Sequence, residues 1–143
     1  MKKRVLVVCT GNTCRSPLAE AFLRKEGKGA YEVRSAGLFA HTGSGLSSGS
    51  QYVLEKEGLL YKHEAQQVTA ELIDWADIVL VMSQSHKAQL ESMYEHVEVQ
   101  TLKEAAGGTG DISDPFGGST ETYEKTAAEI RAAVLKFIEK NEA

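Results

Sequence analysis

An apolar, β-branched run at residues 4–8 passes directly into a small polar loop at residues 9–15, and this order constrains the fold more than any other feature. A continuous apolar run of this length predicts a strand that is buried on both faces, as in a parallel sheet. Ser16 and Pro17 then predict the start of a helix, because serine is a favoured N-cap and proline suits the first helical position. The chain therefore opens with a strand, a tight loop and a helix.

The same alternation continues along the chain. Apolar runs predict three further strands, at residues 31–36, 77–82 and 97–102. Between and after these strands, the pattern predicts one helix that follows the loop at residues 43–50 and ends at about residue 58, and further helices at residues 69–75, 85–94 and 120–140. Strands that alternate with helices indicate an α/β fold, with a parallel sheet and helices on both of its faces. Ligands bind beyond the carboxyl ends of such strands, so the loop at residues 9–15 is the candidate site.

Size and composition limit the classes of protein to consider. The 143 residues, 42% hydrophobic and 25% charged, predict one globular domain over residues 1–143 that needs neither a disulfide nor a metal to fold. A net charge of −4 without a basic stripe argues against nucleic-acid binding. We expect no membrane association and a cytoplasmic location, because the sequence shows no signal-peptide pattern and no membrane-length apolar stretch. A compact domain of this size is also expected to be a monomer. In that setting the two cysteines predict thiol chemistry.

The residues from Cys9 to Arg15 have the chemistry of a phosphate-binding loop. The N–H groups of so short a loop can surround a tetrahedral oxyanion at a helix N-terminus, where the helix dipole favours negative charge. Arg15 adds a two-pronged donor for phosphate oxygens, and the same positive field favours the thiolate of Cys9 for attack on phosphorus. Ser16 can donate to that sulfur, and Asn12 can brace the loop. The alternative is that Cys9 is a buried small hydrophobic residue at the end of the strand and that the loop is an ordinary βα turn.

The segment C-T-G-N-T-C-R-S-P-L-A-E at residues 9–20 resembles the low-molecular-weight protein tyrosine phosphatase family, whose signature is Cys-x5-Arg-[Ser/Thr]. The resemblance extends in the family's order through R-S-A-G at 34–37, D-I-V-L-V-M at 77–82 and D-P-F-G at 114–117. It implies a three-layer α/β sandwich with a central four-stranded parallel sheet, and a cysteinyl-phosphate intermediate formed without a metal or other cofactor. Phosphorylated proteins are the implied substrates. The implied substrate-binding loop residues are Thr10, Gly11, Asn12, Thr13, Cys14, Arg15 and Ser16.

Asp114 is the predicted general acid. A phosphatase that attacks through sulfur needs a carboxylic acid to protonate the leaving group and then to activate water. The resemblance places that acid at the aspartate of D-P-F-G, and Pro115 restricts Asp114 to extended backbone. Phe116 is the expected aromatic wall of the substrate pocket. Asp111 is the nearby competitor, with a loop hydrogen bond or a solvated charge as its expected role.

Thr13 bears on which phosphoryl group is removed. Tyrosine-directed members of the family usually have a branched aliphatic residue at this position. Bacterial protein arginine phosphatases resemble this chain more closely, with threonine there and D-P-F-G-G-S later, here at residues 114–119. The Thr13 hydroxyl can contact a polar guanidinium or help to orient the hydrolytic water. The resemblance therefore favours a protein arginine phosphatase, with a tyrosine phosphatase as the alternative.

Cys14 and the histidines complete the candidate residues. A reversible disulfide between Cys9 and Cys14 is expected as a redox switch, which has precedent in related phosphatases, and the alternative is that Cys14 is a buried structural thiol. Tyr123 is expected to pack on the last helix. His63 lies in a segment that resembles the family's interior and is a candidate for a structural hydrogen bond. No metal-ligand spacing is present, so a surface or core-edge position is expected for each of His41, His63, His86 and His96.

Three other classes of protein fit the sequence less well than a phosphatase. Arsenate reductases share this fold and loop, but their thiol relay needs cysteines downstream of Cys14, and this sequence has none. A catalytically silent phosphate-binding module is not indicated, because Cys9, Arg15 and Asp114 are all present. A sugar-phosphotransfer carrier also uses a cysteine at a strand end, but it does not require Arg15 and Asp114 together.

Overall fold

Four parallel strands form the sheet at the centre of the structure. A computed structural model describes residues 2–142. The strands are β1 (Lys3–Cys9), β2 (Tyr31–Gly37), β3 (Ile78–Val81) and β4 (Val99–Thr101), in the spatial order β2-β1-β3-β4. Each pairing between neighbours is parallel, which confirms the predicted sheet. Strands β1 and β3 occupy the centre of this order, where the apolar residues 5–8 of β1 and 79–81 of β3 are buried.

Helices cover both faces of the sheet. They are α1 (Arg15–Glu26), α2 (Ser48–Lys56), α3 (Ala70–Trp75), α4 (Gln84–Met93), α5 (Leu102–Ala105) and α6 (Thr120–Glu142). Val5 and Val7 pack in a core with α1, α2 and α6, whereas Leu6 and Val8 pack in a second core with α3 and α4. Alternate side chains of β1 thus enter opposite cores, which confirms the three-layer arrangement. Within residues 2–142, no helix combines the length and the apolar character needed to cross a bilayer.

The fourth strand is shorter than the sequence pattern predicts. The apolar run at residues 97–102 contributes a three-residue strand, because helix α5 begins at Leu102. Thr101 starts this helix: its hydroxyl oxygen accepts the Glu104 N–H at 3.1 Å, and the Glu104 carboxylate accepts the Thr101 N–H at 2.9 Å. This capping box satisfies the first backbone donors of a helix and so ends the strand.

Helix α1 begins earlier than predicted. Cys14 is its N-cap and Arg15 its first residue, so the expected N-cap role of Ser16 is wrong. The reason lies in the hydroxyl of Ser16, which is 2.9 Å from Cys9 Sγ and 2.8 Å from Asn12 Nδ2. Within residues 2–142, that hydroxyl bonds to the phosphate loop (residues 9–15) and not to the N–H groups of the helix.

Gly37 allows the loop after β1 to lie against the end of β2. Cys9 pairs with Gly37 in the register of the two strands. A Cβ atom at Gly37 would lie 2.6 Å from Thr10 O and 3.0 Å from Asn12 N, too close for a real side chain. Glycine therefore permits this close backbone approach, and the loop sits at the carboxyl ends of the strands, as predicted.

Candidate active site

Asn12 holds the phosphate loop in its tight curve. Its φ of 59° lies in the left-handed region, which asparagine adopts more readily than most residues, and its side chain is fully buried. The amide Nδ2 donates to Ser16 Oγ at 2.8 Å and to Ser35 Oγ at 2.9 Å. The amide oxygen accepts the Gln66 N–H at 3.0 Å. Asn12 thus ties the loop to α1, to β2 and to the segment that precedes α3.

These hydrogen bonds determine that the Ser16 hydroxyl is the donor in its hydrogen bond with Cys9. The Asn12 amide can only donate to Ser16 Oγ, so the Ser16 hydroxyl is left to donate to Cys9 Sγ, 2.9 Å away. On the other side of the amide, Ser35 Oγ donates to Glu20 Oε1 at 2.6 Å. The Ser16 hydroxyl therefore donates directly to the sulfur that would act as nucleophile.

Glu20 is a buried carboxylate behind the loop. It is 5% exposed and forms an ion pair with Arg24, one turn later in α1. The Tyr61 hydroxyl donates to Glu20 Oε1 at 3.0 Å, and burial together with the charge of Glu20 raises the pKa of Tyr61 well above its ordinary value. His63 Nε2 lies 2.6 Å from Asn12 O, which is the structural hydrogen bond suggested for His63 by its sequence context.

Arg15 and the start of α1 supply positive charge to the loop. Within residues 2–142, the Cys14 side chain forms no cap hydrogen bond to α1, whereas serine or threonine hydroxyls cap α2, α3 and α4. The first N–H groups of α1 are therefore available to an anion. Arg15 is 6% exposed, and its Nη1 donates to Ile112 O at 2.9 Å. This bond holds the guanidinium at the loop, beside the segment that carries Asp114.

Asp114 faces Arg15. Its Oδ2 is 3.7 Å from Arg15 Nη2, and its Oδ1 accepts the Phe116 N–H at 3.1 Å. The side chain is 59% exposed, so it is accessible to a substrate. Asp111 instead accepts the Gln84 N–H at 2.9 Å and anchors this segment to the start of α4, which is the loop hydrogen bond expected of it.

A cavity of about 240 Å³ lies between the loop and the Asp114 segment. Its lining residues are Cys9, Thr10, Gly11, Thr13, Cys14, Arg15, Asp114 and Phe116. The structure thus brings the three predicted catalytic residues together. The side chains of Asn12 and Ser16, also predicted to bind substrate, are fully buried and position the loop. Among residues 2–142, no group of three or more His, Cys, Asp or Glu side chains is arranged to hold a metal ion.

Known proteins are similar to this chain in sequence and in fold. Residues 4–142 match the low molecular weight phosphotyrosine protein phosphatase family. A protein-arginine-phosphatase of Geobacillus stearothermophilus is 41% identical over 143 residues, which cover 98% of this chain and 97% of the relative. The low molecular weight protein-tyrosine-phosphatase PtpB of Staphylococcus epidermidis is 41% identical over 140 residues, 97% of this chain and 99% of the relative. The structure of YwlE arginine phosphatase from Geobacillus stearothermophilus matches with a TM-score of 0.94 at 40% identity, covering 98% of this chain and 93% of the other.

The chain belongs to the low molecular weight phosphatase family. Both the predicted resemblance and the predicted fold are confirmed by the family match and by the full-length structural similarity. Two further side chains of this phosphatase reach the loop from distant helices, and sequence reasoning did not assign either of them to the site.

Tyr123 is the first of these side chains. Cys14 Sγ donates to Ser47 Oγ at 3.3 Å and is also 3.3 Å from Tyr123 OH. Burial and the contact with Cys14 raise the pKa of Tyr123 above its ordinary value, so the phenol keeps its proton. Tyr123 is buried on α6, as its helical spacing predicted. The contact with Cys14 was not predicted, because it depends on where α6 packs beside the loop.

His86 is the second. It is 4% exposed, and its Nε2 lies 2.9 Å from Thr10 Oγ1, next to the nucleophile. Burial and the nearby positive charge of Arg15 lower the pKa of His86 to about 4, so the ring is neutral at pH 7. The expected surface or core-edge position is wrong for His86. The available signal was a Ser-x-x-His segment directly after β3, in which Ser83 Oγ accepts the His86 N–H and caps α4.

Proposed function

We propose that this chain is a protein phosphatase that hydrolyses phosphoarginine on protein substrates through a cysteinyl-phosphate intermediate. The observation that carries the proposal is the cavity at which Cys9, Arg15 and Asp114 meet. A thiolate nucleophile, an oxyanion clamp and a carboxylic acid are the groups that phosphoryl transfer through sulfur requires. Family membership supports the reaction class, and the relative named protein-arginine-phosphatase supports the substrate.

In the first step, the Cys9 thiolate attacks phosphorus in line with the leaving nitrogen. The loop N–H groups and Arg15 bind the phosphoryl oxygens, where they stabilise the charge of the transition state. The substrate phosphate competes with Asp114 for Arg15, which releases the carboxyl group to face the leaving group. An S–P bond forms as the P–N bond breaks, and Asp114 transfers a proton to the departing guanidino nitrogen.

In the second step, water hydrolyses the phosphocysteine. The Asp114 carboxylate takes a proton from the water as the water oxygen attacks phosphorus. The S–P bond breaks, inorganic phosphate leaves, and Cys9 returns as a thiolate with the Ser16 hydroxyl donating to it. Asp114 is protonated again, so one phosphoarginine and one water give one arginine and one phosphate.

Thr13 supports arginine over tyrosine as the target. It lines the cavity, and its hydroxyl oxygen has one weak contact within residues 2–142, 3.8 Å from Cys14 Sγ. The hydroxyl is therefore available to a substrate. A guanidino group brings several N–H donors, and burying one without an acceptor costs about 1–3 kcal/mol. An aliphatic side chain at this position would offer no acceptor and would suit a phenyl ring better.

The test compares kcat/KM on one protein that carries either phosphoarginine or phosphotyrosine, with Cys9→Ser as the blank. We expect at least a tenfold preference for phosphoarginine, equal to about 1.4 kcal/mol of transition-state binding. Thr13→Ile should shrink this preference, whereas the matched control Thr13→Ser keeps the hydroxyl and should retain it. An unchanged preference in Thr13→Ile would remove Thr13 as the specificity filter.

A tyrosine phosphatase is the second candidate. Phe116 is 78% exposed at the cavity wall, where its ring can stack on a phenol. The relative named PtpB is a protein-tyrosine-phosphatase at the same identity. A wild-type preference for phosphotyrosine in the comparison above would select this function. A phosphocysteine that forms and is not hydrolysed would instead favour a phosphotransfer carrier.

We also propose that Cys9 and Cys14 form a reversible disulfide. We propose as well that the protein is a monomer in the cytoplasm, whose reducing conditions would return this disulfide to thiols. Both thiols are free and line the same cavity. Hydrogen peroxide converts the Cys9 thiolate to a sulfenic acid, and the Cys14 thiol then displaces its hydroxyl group as water to form the disulfide. Dithiothreitol should restore activity after peroxide treatment in the wild type and fail to do so in Cys14→Ser. Equal recovery in both proteins would exclude a protective disulfide.

A further inference from the structure

His86 and Thr10 form a part-buried hydrogen bond at the edge of the phosphate loop. His86 lies in the first turn of α4, fixed there by the cap bond from its N–H to Ser83 Oγ. Its Nε2 is 2.9 Å from Thr10 Oγ1. Thr10 directly follows Cys9 and lines the cavity. The imidazole therefore connects α4 to the residue beside the nucleophile.

The second ring nitrogen indicates where the imidazole proton lies. Nδ1 is buried and has no hydrogen-bond partner within residues 2–142. A buried N–H without an acceptor is rarer and more costly than a buried lone pair without a donor. The ring carries one proton at pH 7, because burial and the charge of Arg15 lower the pKa of His86 to about 4. That proton is therefore on Nε2, which donates to Thr10 Oγ1.

The orientation of the Thr10 hydroxyl follows from this tautomer. Because Thr10 Oγ1 accepts from His86, its own proton must point to a different partner. In the part of the chain that the structure describes, His86 is the one side-chain partner of that hydroxyl. Thr10 is exposed and shares the cavity wall with Cys9 and Arg15. The proton is thus available to an acceptor inside the cavity.

We propose that His86 is a positioning residue that makes the Thr10 hydroxyl a hydrogen-bond donor to a phosphoryl oxygen in the cavity. This role rests on the proposed phosphatase function. The charged groups near the ring are Arg15, Asp111 and Asp114, on the loop and on the segment after α5. A neutral ring orients the hydroxyl without adding a charge, so the electrostatic attraction for phosphate stays with Arg15 and helix α1.

The first measurement needs no turnover. A two-bond ¹H–¹⁵N NMR spectrum of the uniformly labelled protein at pH 7 reports the tautomer of each histidine, and His86→Gln assigns the signal. The expected result is a neutral ring with its proton on Nε2. An Nδ1–H tautomer or an imidazolium at pH 7 would overturn the proposal.

The second measurement is a double-mutant cycle on the affinity for inorganic phosphate, obtained from NMR titration. His86→Phe removes the donor and keeps a buried ring, and Thr10→Val removes the hydroxyl and keeps the shape. Each should weaken phosphate binding by about three- to tenfold, the worth of one hydrogen bond. The double variant should bind phosphate no more weakly than Thr10→Val alone, because both changes remove the same hydrogen bond from the Thr10 hydroxyl to the phosphate. Losses that multiply in the double variant would show that His86 does not act through Thr10.

Controls separate this role from folding and from the proposed reaction. His86→Gln offers an amide donor to Thr10 and should recover most of the phosphate affinity lost in His86→Phe. If His86→Phe does not fold, Thr10→Val and the wild-type tautomer still decide the question. Phosphate affinity unchanged in Thr10→Val would refute the proposal in an active enzyme. A protein that binds phosphate as expected but never hydrolyses phosphoarginine would instead refute the proposed function alone.

Discussion

Substitutions at Asn12 separate two contributions to the stability of the phosphate loop, backbone strain and side-chain hydrogen bonding. Asn12→Gly removes the hydrogen bonds to Ser16, Ser35 and Gln66 but keeps a residue that tolerates a φ of 59°. Each bond contributes about 0.5–1.5 kcal/mol net, so we expect a loss of about 2–4 kcal/mol in the free energy of unfolding. Asn12→Ala loses the same bonds and also strains the backbone.

The difference between the two variants measures the strain. A left-handed residue with a Cβ atom costs about 1–2 kcal/mol, and the greater freedom of glycine in the unfolded chain offsets part of it. Asn12→Ala should therefore be less stable than Asn12→Gly by about 1 kcal/mol. Both should also lower kcat/KM, because without the Asn12 amide the Ser16 hydroxyl is no longer compelled to donate to Cys9.

Urea unfolding followed by circular dichroism at pH 7 gives these free energies, with the m-value as the check on two-state behaviour. Lys28 is the matched control, because it also has a positive φ, 50°, but its side chain is exposed. Lys28→Gly should leave stability unchanged or raise it by up to about 1 kcal/mol. The reasoning is refuted if Asn12→Gly is as stable as the wild type, or if Asn12→Ala and Asn12→Gly do not differ.

Two further predictions concern buried positions near the loop. The folded-state pKa of His86 is about 4, below its ordinary 6.5. Between these pH values the imidazole is protonated in the unfolded chain but not in the folded one. The His86 contribution to the free energy of unfolding is therefore greatest above pH 6.5 and falls as the pH decreases toward 4. The His86 share of this fall approaches about 3 kcal/mol and should be absent in His86→Gln. Urea unfolding of both proteins at pH 7.5 and 4.5 measures it, and an equal fall in the free energy of unfolding of both proteins would contradict the prediction. Gly49→Ala would place a Cβ atom 2.2 Å from the ring of Tyr123, so it should destabilise the fold by about 1–3 kcal/mol and change the rate at which Cys14 reacts with a thiol reagent. Gly45→Ala, at a glycine with nothing within 4 Å of the added atom, is its control, and equal effects of both substitutions would rule out the steric cause.

Local sequence patterns were sufficient for most of the fold. The apolar runs of β1 and β3, the polar loop between Cys9 and Arg15 and the spacing of apolar residues in α6 each predicted the observed element. Such patterns work because burial, period and capping act over a few neighbouring residues. The errors fell at element ends: a capping box at Thr101 shortened β4, and Ser16 proved to bond to the loop.

The sequence likewise predicted one part of the candidate site and not the other. The nucleophile, the arginine and the acid are recognisable from short motifs, because a loop of fixed length before a helix must place Cys9 and Arg15 around one anion. The chain could not reveal that His86 contacts Thr10 or that Tyr123 contacts Cys14, residues separated by 76 and 109 positions. These contacts arise when α4 and α6 pack on the sheet from opposite sides and direct single side chains at the loop. Packing between distant segments depends on the shape of the whole core, and for that reason the tertiary structure alone decides them.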